Sequence, residues 1–264
     1  MTSPRAKKQF GQHFLADTNL LGVIERLAGL RADDVVVEIG PGLGVLTRLL
    51  VERTAHVHAV EIDRALEAPL RAELGSPTNL SLVFADALHL DLASLVPMPH
   101  KLVANLPYNV ATPIVVESVV APGPIDSWCV MVQREVADRF FALPSTKAYG
   151  AVSVLVQLHA ERTGFHPVAR TVFRPPPNVD SALVAFARKP GDVAGEGVRR
   201  VVQGAFAHRR KTLANSLSLA GVAERGTAAS ALASLGHDSS VRAEALAPET
   251  FVELAAALAM TESA

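Results

Sequence analysis

Residues 105–108, with the sequence Asn-Leu-Pro-Tyr, follow a short apolar run and combine groups suited to one kind of reaction. The amine of an aromatic base is a poor nucleophile because its lone pair is delocalised into the ring. The Asn105 side-chain oxygen and the Leu106 carbonyl offer two acceptors for the amine hydrogens, and acceptors off the base plane favour a pyramidal nitrogen. Pro107 stiffens the turn, and Tyr108 offers a ring for stacking. The segment therefore predicts alkylation of a base amine by positioning and electrostatic preorganisation, without a strong general base.

A glycine-rich loop earlier in the chain is the second chemical signal. Residues 38–44 read Glu-Ile-Gly-Pro-Gly-Leu-Gly, follow an apolar run and open a helical pattern. Glycines let the backbone approach a ligand closely, and a helix N-terminus favours negative charge. Glu61 ends the next apolar run, 21 residues after Gly40, where its carboxylate can accept from both hydroxyls of a ribose. Together these residues predict a site for a nucleoside cofactor.

Two cofactor classes share this arrangement. A dinucleotide fingerprint needs Gly or Ala at its sixth position, where this chain has Val45, and Pro41 is unfavourable for a pyrophosphate cradle. The loop is instead similar to the acidic-x-Gly-x-Gly-x-Gly loop with which class I methyltransferases hold S-adenosylmethionine. Asp86, just past the third apolar run, would then accept from the adenine amine. The pattern therefore favours S-adenosylmethionine over a nicotinamide dinucleotide.

Five segments together resemble the KsgA-type (RsmA) ribosomal RNA adenine dimethyltransferases. They are residues 9–15, 38–44, 105–113, 173–181 and 208–213, and the similarity extends over roughly residues 7–260. The resemblance implies a Rossmann-like α/β domain with S-adenosylmethionine as methyl donor. It also implies N6-dimethylation of two adjacent adenosines in a hairpin loop near the 3′ end of small-subunit (16S) ribosomal RNA, during small-subunit biogenesis.

The resemblance assigns cofactor-binding positions residue by residue. They are His13, Leu15, Gly40, Gly42, Glu61, Asp86 and Asn105. His13 and Leu15 would close the methionine end, and Gly40 would make the loop contact. Asn105 would bridge the cofactor and the target amine.

The catalytic positions that the resemblance implies are Asn105, Leu106, Pro107, Tyr108 and Phe173. Phe173 would stack on the target base opposite Tyr108. Unstacking a base that already lies in a loop costs less than extracting one from a duplex. No metal site is expected, because His56 and His58 face the same side of a strand but lack a third ligand.

Two other functions remain open at this stage. The related Erm-type enzymes methylate one adenosine of large-subunit RNA, but Leu106, residues 109–113 and the lack of a long basic tail favour the KsgA type. A non-catalytic assembly or transcription factor could share the fold. The intact 105–108 segment argues against that alternative.

Charge is distributed unevenly along the chain. The 25 Lys and Arg against 26 Asp and Glu leave a formal net charge of −1, which argues mildly against a nucleic-acid binder. Two segments are nevertheless basic and poor in acids, and their predicted RNA-binding residues are Lys7, Lys8, Arg209, Arg210 and Lys211. A solvated helix face is the simpler alternative for the second cluster. Phosphate contact is the better interpretation of both clusters.

Composition and length limit the class of protein. The 264 residues are 49% hydrophobic and contain one cysteine, Cys129, so the chain can bury a large core but cannot form an internal disulfide. It has no apolar run of the roughly 18 residues that span a bilayer, and its basic N-terminus has no apolar signal region. We expect a cytoplasmic monomer that acts on ribosomal RNA within a small-subunit precursor particle.

Apolar runs alternate with helical patterns through the first two-thirds of the chain. The predicted strands are residues 35–39, 56–61, 80–84, 102–104 and 128–132, with helices such as 43–51 and 64–74 between them. This alternation predicts a doubly wound parallel sheet. Residues 151–160 and 181–187 are expected to close it as an antiparallel pair. After a linker at 189–197 every pattern is helical, so residues 1–189 are predicted to form the methyltransferase domain and 198–264 a small all-α domain that contacts RNA.

Overall fold

A computed structural model describes residues 14–15, 17, 19–191 and 195–262 of the chain. These residues divide into two compact units. The first, which we call the sheet unit, takes in Met1–Ala137 and Glu161–Arg188. The second, the helical unit, takes in Asp138–Ala160 and Lys189–Ala264.

Nine strands are formed by the described residues, seven of them in one sheet. The strands are β1 (Phe14–Leu15), β2 (Val35–Ile39), β3 (His56–Glu61), β4 (Leu80–Phe84), β5 (Lys101–Asn105), β6 (Ser127–Gln133), β7 (Ala160–Val168), β8 (Phe173–Arg174) and β9 (Ser181–Arg188). The large sheet has the order β4-β3-β2-β5-β6-β9-β7. Neighbours from β4 to β6 are parallel, and β9 is antiparallel to β6. The predicted parallel α/β sheet is therefore confirmed.

Ten helices accompany these strands in the described residues. They are α1 (Asn19–Ala28), α2 (Val45–Arg53), α3 (Glu67–Leu74), α4 (Ala111–Val120), α5 (Arg134–Phe140), α6 (Ala151–His159), α7 (Glu196–Ala207), α8 (Leu213–Leu219), α9 (Arg225–Ser234) and α10 (Pro248–Glu262). The chain alternates strand and helix from β2 to α4, which is the pattern that parallel crossovers require. None of the described helices is long and apolar enough to span a membrane.

The central strands are apolar on both faces because helices cover both sides of a parallel sheet. Val36 and Val37 of β2 are fully buried, and so are Leu102 of β5 and Val130 of β6. Such strands carry few polar side chains along their length. Three of their polar residues, Glu38, Glu61 and Asn105, lie at or near the carboxyl ends of the strands, where open α/β sheets bind ligands.

The amino ends of the central strands β2 and β5 are held by an ionic cluster around the buried Asp34. Its carboxylate accepts from His100 Nε2 at 2.9 Å, Lys101 Nζ at 2.8 Å and the Arg31 amide at 2.8 Å. Burial raises the pKa of Asp34, but the hydrogen bonds from Lys101, His100 and Arg31 outweigh burial and leave that pKa below its usual value. Since Asp34 directly precedes β2 and Lys101 is the first residue of β5, the cluster fixes the starts of two adjacent strands.

The prediction of a strand at residues 151–160 is wrong. Residues Ala151–His159 form α6, and the strands that complete the sheet are β7 and β9. The segment is apolar on nearly every side, so its periodicity does not distinguish a buried helix from a buried strand. Its first turn is fixed by Ser153, whose hydroxyl accepts from the Gly150 amide at 3.1 Å and donates to the Arg139 carbonyl at 2.6 Å.

The helical unit contains the all-helical segment expected after the linker. Helix α7 begins at Glu196, two residues earlier than predicted, and buries Val198, Val201, Val202 and Ala205 along one face. In the helical unit, the buried Ser216 hydroxyl of α8 donates to the Gly204 carbonyl of α7 at 2.7 Å. The helical unit therefore has a core of its own.

Candidate active site

The glycine loop, residues 40–44, joins β2 to α2 in a conformation that favours glycine. Gly40, Gly42 and Gly44 have φ values of 75°, 58° and 82°. These values lie in the left-handed region, which L side chains rarely adopt. The Gly40 amide donates to the Val60 carbonyl at 2.9 Å, which ties the loop to β3.

The glycine loop lies directly against the loop that follows β5. A Cβ placed on Gly40 would lie 3.3 Å from both Cδ and Cγ of Pro107. That distance is tighter than ordinary van der Waals contact, so Gly40 is needed for close approach as well as for its backbone angle. The two loops predicted to hold cofactor and target are therefore neighbours in space.

Glu61 ends β3 inside the cleft and is 5% exposed. Its Oε1 accepts from the Asp63 amide at 2.9 Å, and its Oε2 from the Gly42 amide at 3.4 Å. Burial raises the pKa of Glu61, and these backbone hydrogen bonds offset part of the rise. Each carboxylate oxygen can accept a second hydrogen bond, so the pair is suited to two vicinal hydroxyls.

Glu38 precedes the glycine loop and is only 1% exposed, yet it lines the same cleft. Burial raises its pKa to about 8, the Thr47 hydroxyl offsets part of that rise, and the Glu61 carboxylate adds to it. Neither Glu38 Oε2 nor Thr47 Oγ1 meets hydrogen-bond geometry with another atom of the described residues. The site thus contains one buried carboxyl oxygen, Glu38 Oε2, that accepts no hydrogen bond of good geometry from the described residues.

Asp86 follows β4 at the other side of the cleft. Its Oδ1 accepts from the Leu88 amide at 3.0 Å, and its Oδ2 lies 3.2 Å from His89 Nδ1. Ile62 and Leu88 line the cleft beside it with side chains that are 51% and 39% exposed. Exposed apolar side chains next to a carboxylate suit a planar heterocycle with an amine, a signal that sequence reasoning missed because single apolar residues after strands are common.

The 105–108 loop is fixed by its backbone and by its tyrosine. The Leu106 amide donates to the Met131 carbonyl at 3.1 Å, while the Leu106 side chain is buried in the core. The Tyr108 hydroxyl shares a hydrogen bond with the Ser181 hydroxyl. Burial raises the pKa of Tyr108, and the Ser181 hydrogen bond offsets part of that rise. Ser181 is a site residue to which sequence reasoning gave no role.

Phe173 lies in a different environment from the one that base stacking requires. Its side chain is 1% exposed and belongs to the apolar core cluster that contains Leu20 and Ile24. A base can reach this ring only if the residues packed over it move, so its stacking role stays a prediction. The Leu15 backbone pairs with Phe173 in the β1–β8 ladder. His13, Lys7 and Lys8 lie outside the described residues.

Five of the predicted cofactor residues meet in one cleft of the sheet unit. Those that line it are Gly40, Gly42, Glu61, Asp86 and Asn105, together with Leu106, Pro107 and Tyr108. S-adenosylmethionine carries a ribose, an adenine and a cationic amino-acid end. Glu61 suits the ribose, Asp86 with its apolar neighbours suits the adenine, and the orphaned Glu38 carboxyl suits a cation. The residues present therefore fit this cofactor.

The predicted RNA-binding cluster of the helical unit follows α7. Arg209 donates from its guanidinium to the Tyr149 carbonyl at 3.1 Å. Arg210 and Lys211 are exposed. Arg209 therefore fixes the residues before α6, whereas Arg210 and Lys211 extend into solvent. Among the described residues there is no group of three or more side chains that could hold a metal ion.

A family model described as ribosomal RNA adenine dimethylase matches residues 4–259. The chain belongs to this family. It is 46% identical over 255 residues to the ribosomal RNA small subunit methyltransferase A of Rubrobacter xylanophilus, covering 96% of this chain and 95% of the relative. The family relationship confirms the resemblance, and with it a methyltransferase that uses S-adenosylmethionine as methyl donor.

Two solved structures resemble the chain over most of its length. The dimethyladenosine transferase of Plasmodium falciparum has a TM-score of 0.77 at 22% identity, covering 92% of this chain and 96% of that one, and supports the fold alone. The 23S rRNA methyltransferase ErmE has a TM-score of 0.67 at 29% identity, covering 93% and 99%. Both likenesses support the Rossmann-like α/β fold of this chain.

Proposed function

We propose that this protein dimethylates N6 of two adjacent adenosines in the 3′-terminal hairpin loop of small-subunit (16S) ribosomal RNA. The observation that carries the proposal is the close approach of Gly40 to Pro107, which supports a cofactor loop and an amine-binding loop side by side. The small-subunit assignment is supported by the relative from Rubrobacter xylanophilus, whose name specifies that subunit. The reaction takes place during small-subunit biogenesis.

The cofactor supplies an electrophilic methyl group, and the chain supplies its orientation. Glu61 accepts from the ribose hydroxyls while two backbone amides hold its carboxylate in place. Asp86 accepts from the adenine amine, and Gly40 allows the backbone to lie close to the ligand. His13 and Leu15 close the methionine end. Buried, prearranged acceptors lose little free energy to reorganisation during the reaction.

The target adenosine is held by the 105–108 loop. Asn105 and the Leu106 carbonyl accept the two amine hydrogens, which directs the nitrogen lone pair out of the base plane and towards the methyl group. Tyr108 stacks on one face of the base. Phe173 stacks on the opposite face after the residues packed over its ring have moved. The nitrogen becomes acidic as it is alkylated, so its proton leaves to water without a strong base. Positioning accounts for most of the rate.

RNA is held mainly by basic residues outside this cleft. Arg210 and Lys211 of the helical unit contact phosphates, and Lys7 and Lys8 add positive charge from the N-terminal segment. We assign methyl transfer to residues 1–189 and RNA contact to residues 198–264. The protein acts as a monomer in the cytoplasm, where precursor particles of the small subunit are assembled.

The alternative is an Erm-type activity on large-subunit RNA. The observation that favours it is the structural similarity to the 23S rRNA methyltransferase ErmE. The two functions differ in the RNA that carries the product. Mapping of methylated adenosines in both ribosomal RNAs, from a deletion strain and from the same strain complemented with the gene, separates them. We expect two adjacent dimethyladenosines that appear only in small-subunit RNA. Product in large-subunit RNA would refute the small-subunit assignment.

The same assay in single-turnover form tests the proposed chemistry. Asn105→Ala removes an acceptor aimed at developing charge, and such a loss costs about 10²–10³ in rate. Asn19→Ala is a matched control, because Asn19 is an exposed residue at the start of α1. If Asn105→Ala methylates small-subunit particles at the rate of the control, the proposed active site is wrong.

A further inference from the structure

Two arginines of the sheet unit lie against a single aromatic ring outside the cleft. The Arg134 guanidinium carbon is 4.9 Å from the centroid of the Phe165 ring, and that of Arg162 is 5.9 Å from the same centroid. Both arginines are exposed, and Phe165 is half-buried. A guanidinium that contacts a ring through its face can still donate from the N–H groups in its plane. We call these three residues the arginine cluster, which holds two like charges on a small area of surface.

The arginine cluster is connected to the residues that hold the target base. Arg134 directly follows the last residue of β6, at the carboxyl end of the sheet. Its amide donates to the Asp180 carbonyl at 2.9 Å. The next residue, Ser181, shares a hydrogen bond with the hydroxyl of Tyr108, which lines the cleft. A short path of bonded residues therefore leads from the cluster to the tyrosine proposed to stack on the base.

The segment that continues from the cluster to Phe173 is basic and contains no acid. Residues 162–179 include Arg162, Arg170 and Arg174 but neither Asp nor Glu. All three arginines are exposed. Positive charge therefore extends from the arginine cluster along the chain towards the second aromatic residue proposed to hold the base.

A polyanionic substrate meets charges of opposite sign on this side of the molecule. The cleft is lined by the carboxyl groups of Glu61 and Asp86, which repel phosphates. A strand that presents a base to the cleft therefore needs cations beside it. The exposed Glu135 and Glu161 adjoin the two arginines in the sequence. They compete weakly with a phosphate, because exposed ion pairs contribute little and a guanidinium can bind phosphate through two parallel hydrogen bonds.

We infer that the arginine cluster binds phosphates of the RNA strand that carries the target adenosines, close to the base that enters the cleft. The inference rests on the proposed function for the identity of the RNA, and it goes beyond the assignment of RNA contact to the helical unit. Arg134 and Arg162 donate to phosphate oxygens, while the Phe165 ring holds both guanidiniums in place. Such contacts position a strand without reading its sequence.

Single-turnover methylation of small-subunit particles from the deletion strain tests the inference when the particle concentration and the salt concentration are both varied. The half-saturating particle concentration reports binding, and its log–log dependence on salt reports the number of phosphate contacts. Arg134→Gln combined with Arg162→Gln should raise that concentration. It should also flatten the salt slope by about 1.4, since each phosphate contact to a single strand contributes about 0.7.

Three further variants separate charge, ring and general surface effects. Arg134→Lys combined with Arg162→Lys keeps both charges and should keep the wild-type salt slope. Phe165→Leu removes the ring but keeps an apolar side chain. It should raise the half-saturating concentration about two- to fivefold, because the arginines lose their cation–π contacts, and it should leave the slope unchanged. Arg31→Gln removes an exposed arginine that precedes β2 and should behave as wild type.

The rate at saturating particle concentration and the affinity for S-adenosylhomocysteine should stay close to wild type in the double glutamine variant. A salt slope in that variant equal to the slope of Arg31→Gln would overturn the inference, even if its melting temperature falls, because a merely structural role leaves the slope unchanged. If the double variant does not fold, Arg134→Gln alone should flatten the slope by about 0.7. Absence of methylation of small-subunit RNA by wild type would instead refute the proposed function.

Discussion

The hydroxyls of Tyr108 and Ser181 share a hydrogen bond that joins the 105–108 loop to the first residue of β9. Ser181 is 1% exposed and pairs with Gln133 in the sheet, so it is a rigid partner. The ring of Tyr108 is therefore held at the cleft by its own hydroxyl. This relationship connects two sequence motifs that are far apart in the chain.

Tyr108→Phe should keep most methylation, because the ring that stacks on the base remains. Ser181→Ala should have an effect of similar size, and the double variant should lose no more than the larger single variant, since all three remove the same hydrogen bond. Tyr108→Ala should lose more, because stacking on an aromatic side chain contributes about 1–3 kcal/mol per base. Single-turnover rates on small-subunit particles measure all four. Additive losses in the double variant would show that the hydrogen bond does not couple the residues.

Glu61→Gln should weaken S-adenosylhomocysteine binding by about tenfold or more, since a hydrogen bond to a charged group contributes about 1.5–3 kcal/mol. The amide is preferable to alanine because Glu61 also accepts from the Asp63 and Gly42 amides. Calorimetric titration gives the affinity, and the exposed Glu67→Gln is the control. Unchanged affinity in Glu61→Gln would remove Glu61 from the cofactor site.

Replacing Arg210 and Lys211 together by alanine should weaken RNA binding and flatten its log–log salt dependence by about 0.7–0.9 per lost phosphate contact. Cofactor affinity should stay unchanged. Arg209→Ala has a second effect, because Arg209 donates to the Tyr149 carbonyl, and it should also lower the melting temperature. A salt slope equal to that of wild type in the double variant would identify the cluster as a solvated face.

Asp34→Asn should lower the free energy of unfolding by about 3 kcal/mol at pH 7, since it leaves the largely enclosed Lys101 ammonium without its charged partner. The folded-state pKa of Asp34 lies below its unfolded value, so the carboxylate stabilises the fold above the unfolded pKa. That contribution is lost as the pH falls through the folded pKa. The difference in free energy of unfolding between wild type and Asp34→Asn should therefore become smaller at low pH.

Urea unfolding of wild type and Asp34→Asn at pH 7 and at pH 3 measures this difference. Asp33→Asn is the matched control. The Asp33 carboxylate neighbours Asp34 in the chain but is 75% exposed and pairs with Arg31 only at the surface. A loss in Asp33→Asn as large as in Asp34→Asn would show that burial of the ion pair is not the cause.

The sheet could be predicted closely where burial is the same on both faces. Strands β2, β3 and β4 begin and end at the predicted residues, because their largely apolar runs are bounded by turn and polar residues. The same signal failed at α6, where a continuous apolar run is buried as a helix. Composition reports that a segment is buried, and the tertiary environment decides its backbone conformation.

The site could be predicted in its parts but not in its contacts. Residues such as Glu61 and Asp86 follow from their position after strands, which is local information. The Tyr108–Ser181 hydrogen bond joins residues 73 positions apart, and the Gly40–Pro107 approach is likewise long-range. The burial of Phe173 also depends on distant residues of α1. Contacts between residues that are distant in sequence become visible only in the folded structure.

The sheet unit is interrupted in sequence by a segment of the helical unit, and this order affects folding of the chain during its synthesis. The sheet unit is left after Ala137, re-entered at Glu161 and completed only at Arg188. A nascent chain that has not yet released β9 from the exit tunnel therefore has β6 as an edge strand, with its backbone groups unpaired on one side. Edge strands that are apolar on both faces are prone to aggregate. C-terminal truncations that end before Ser181 should consequently need a chaperone to remain in solution, whereas those that end after Arg188 retain the whole sheet.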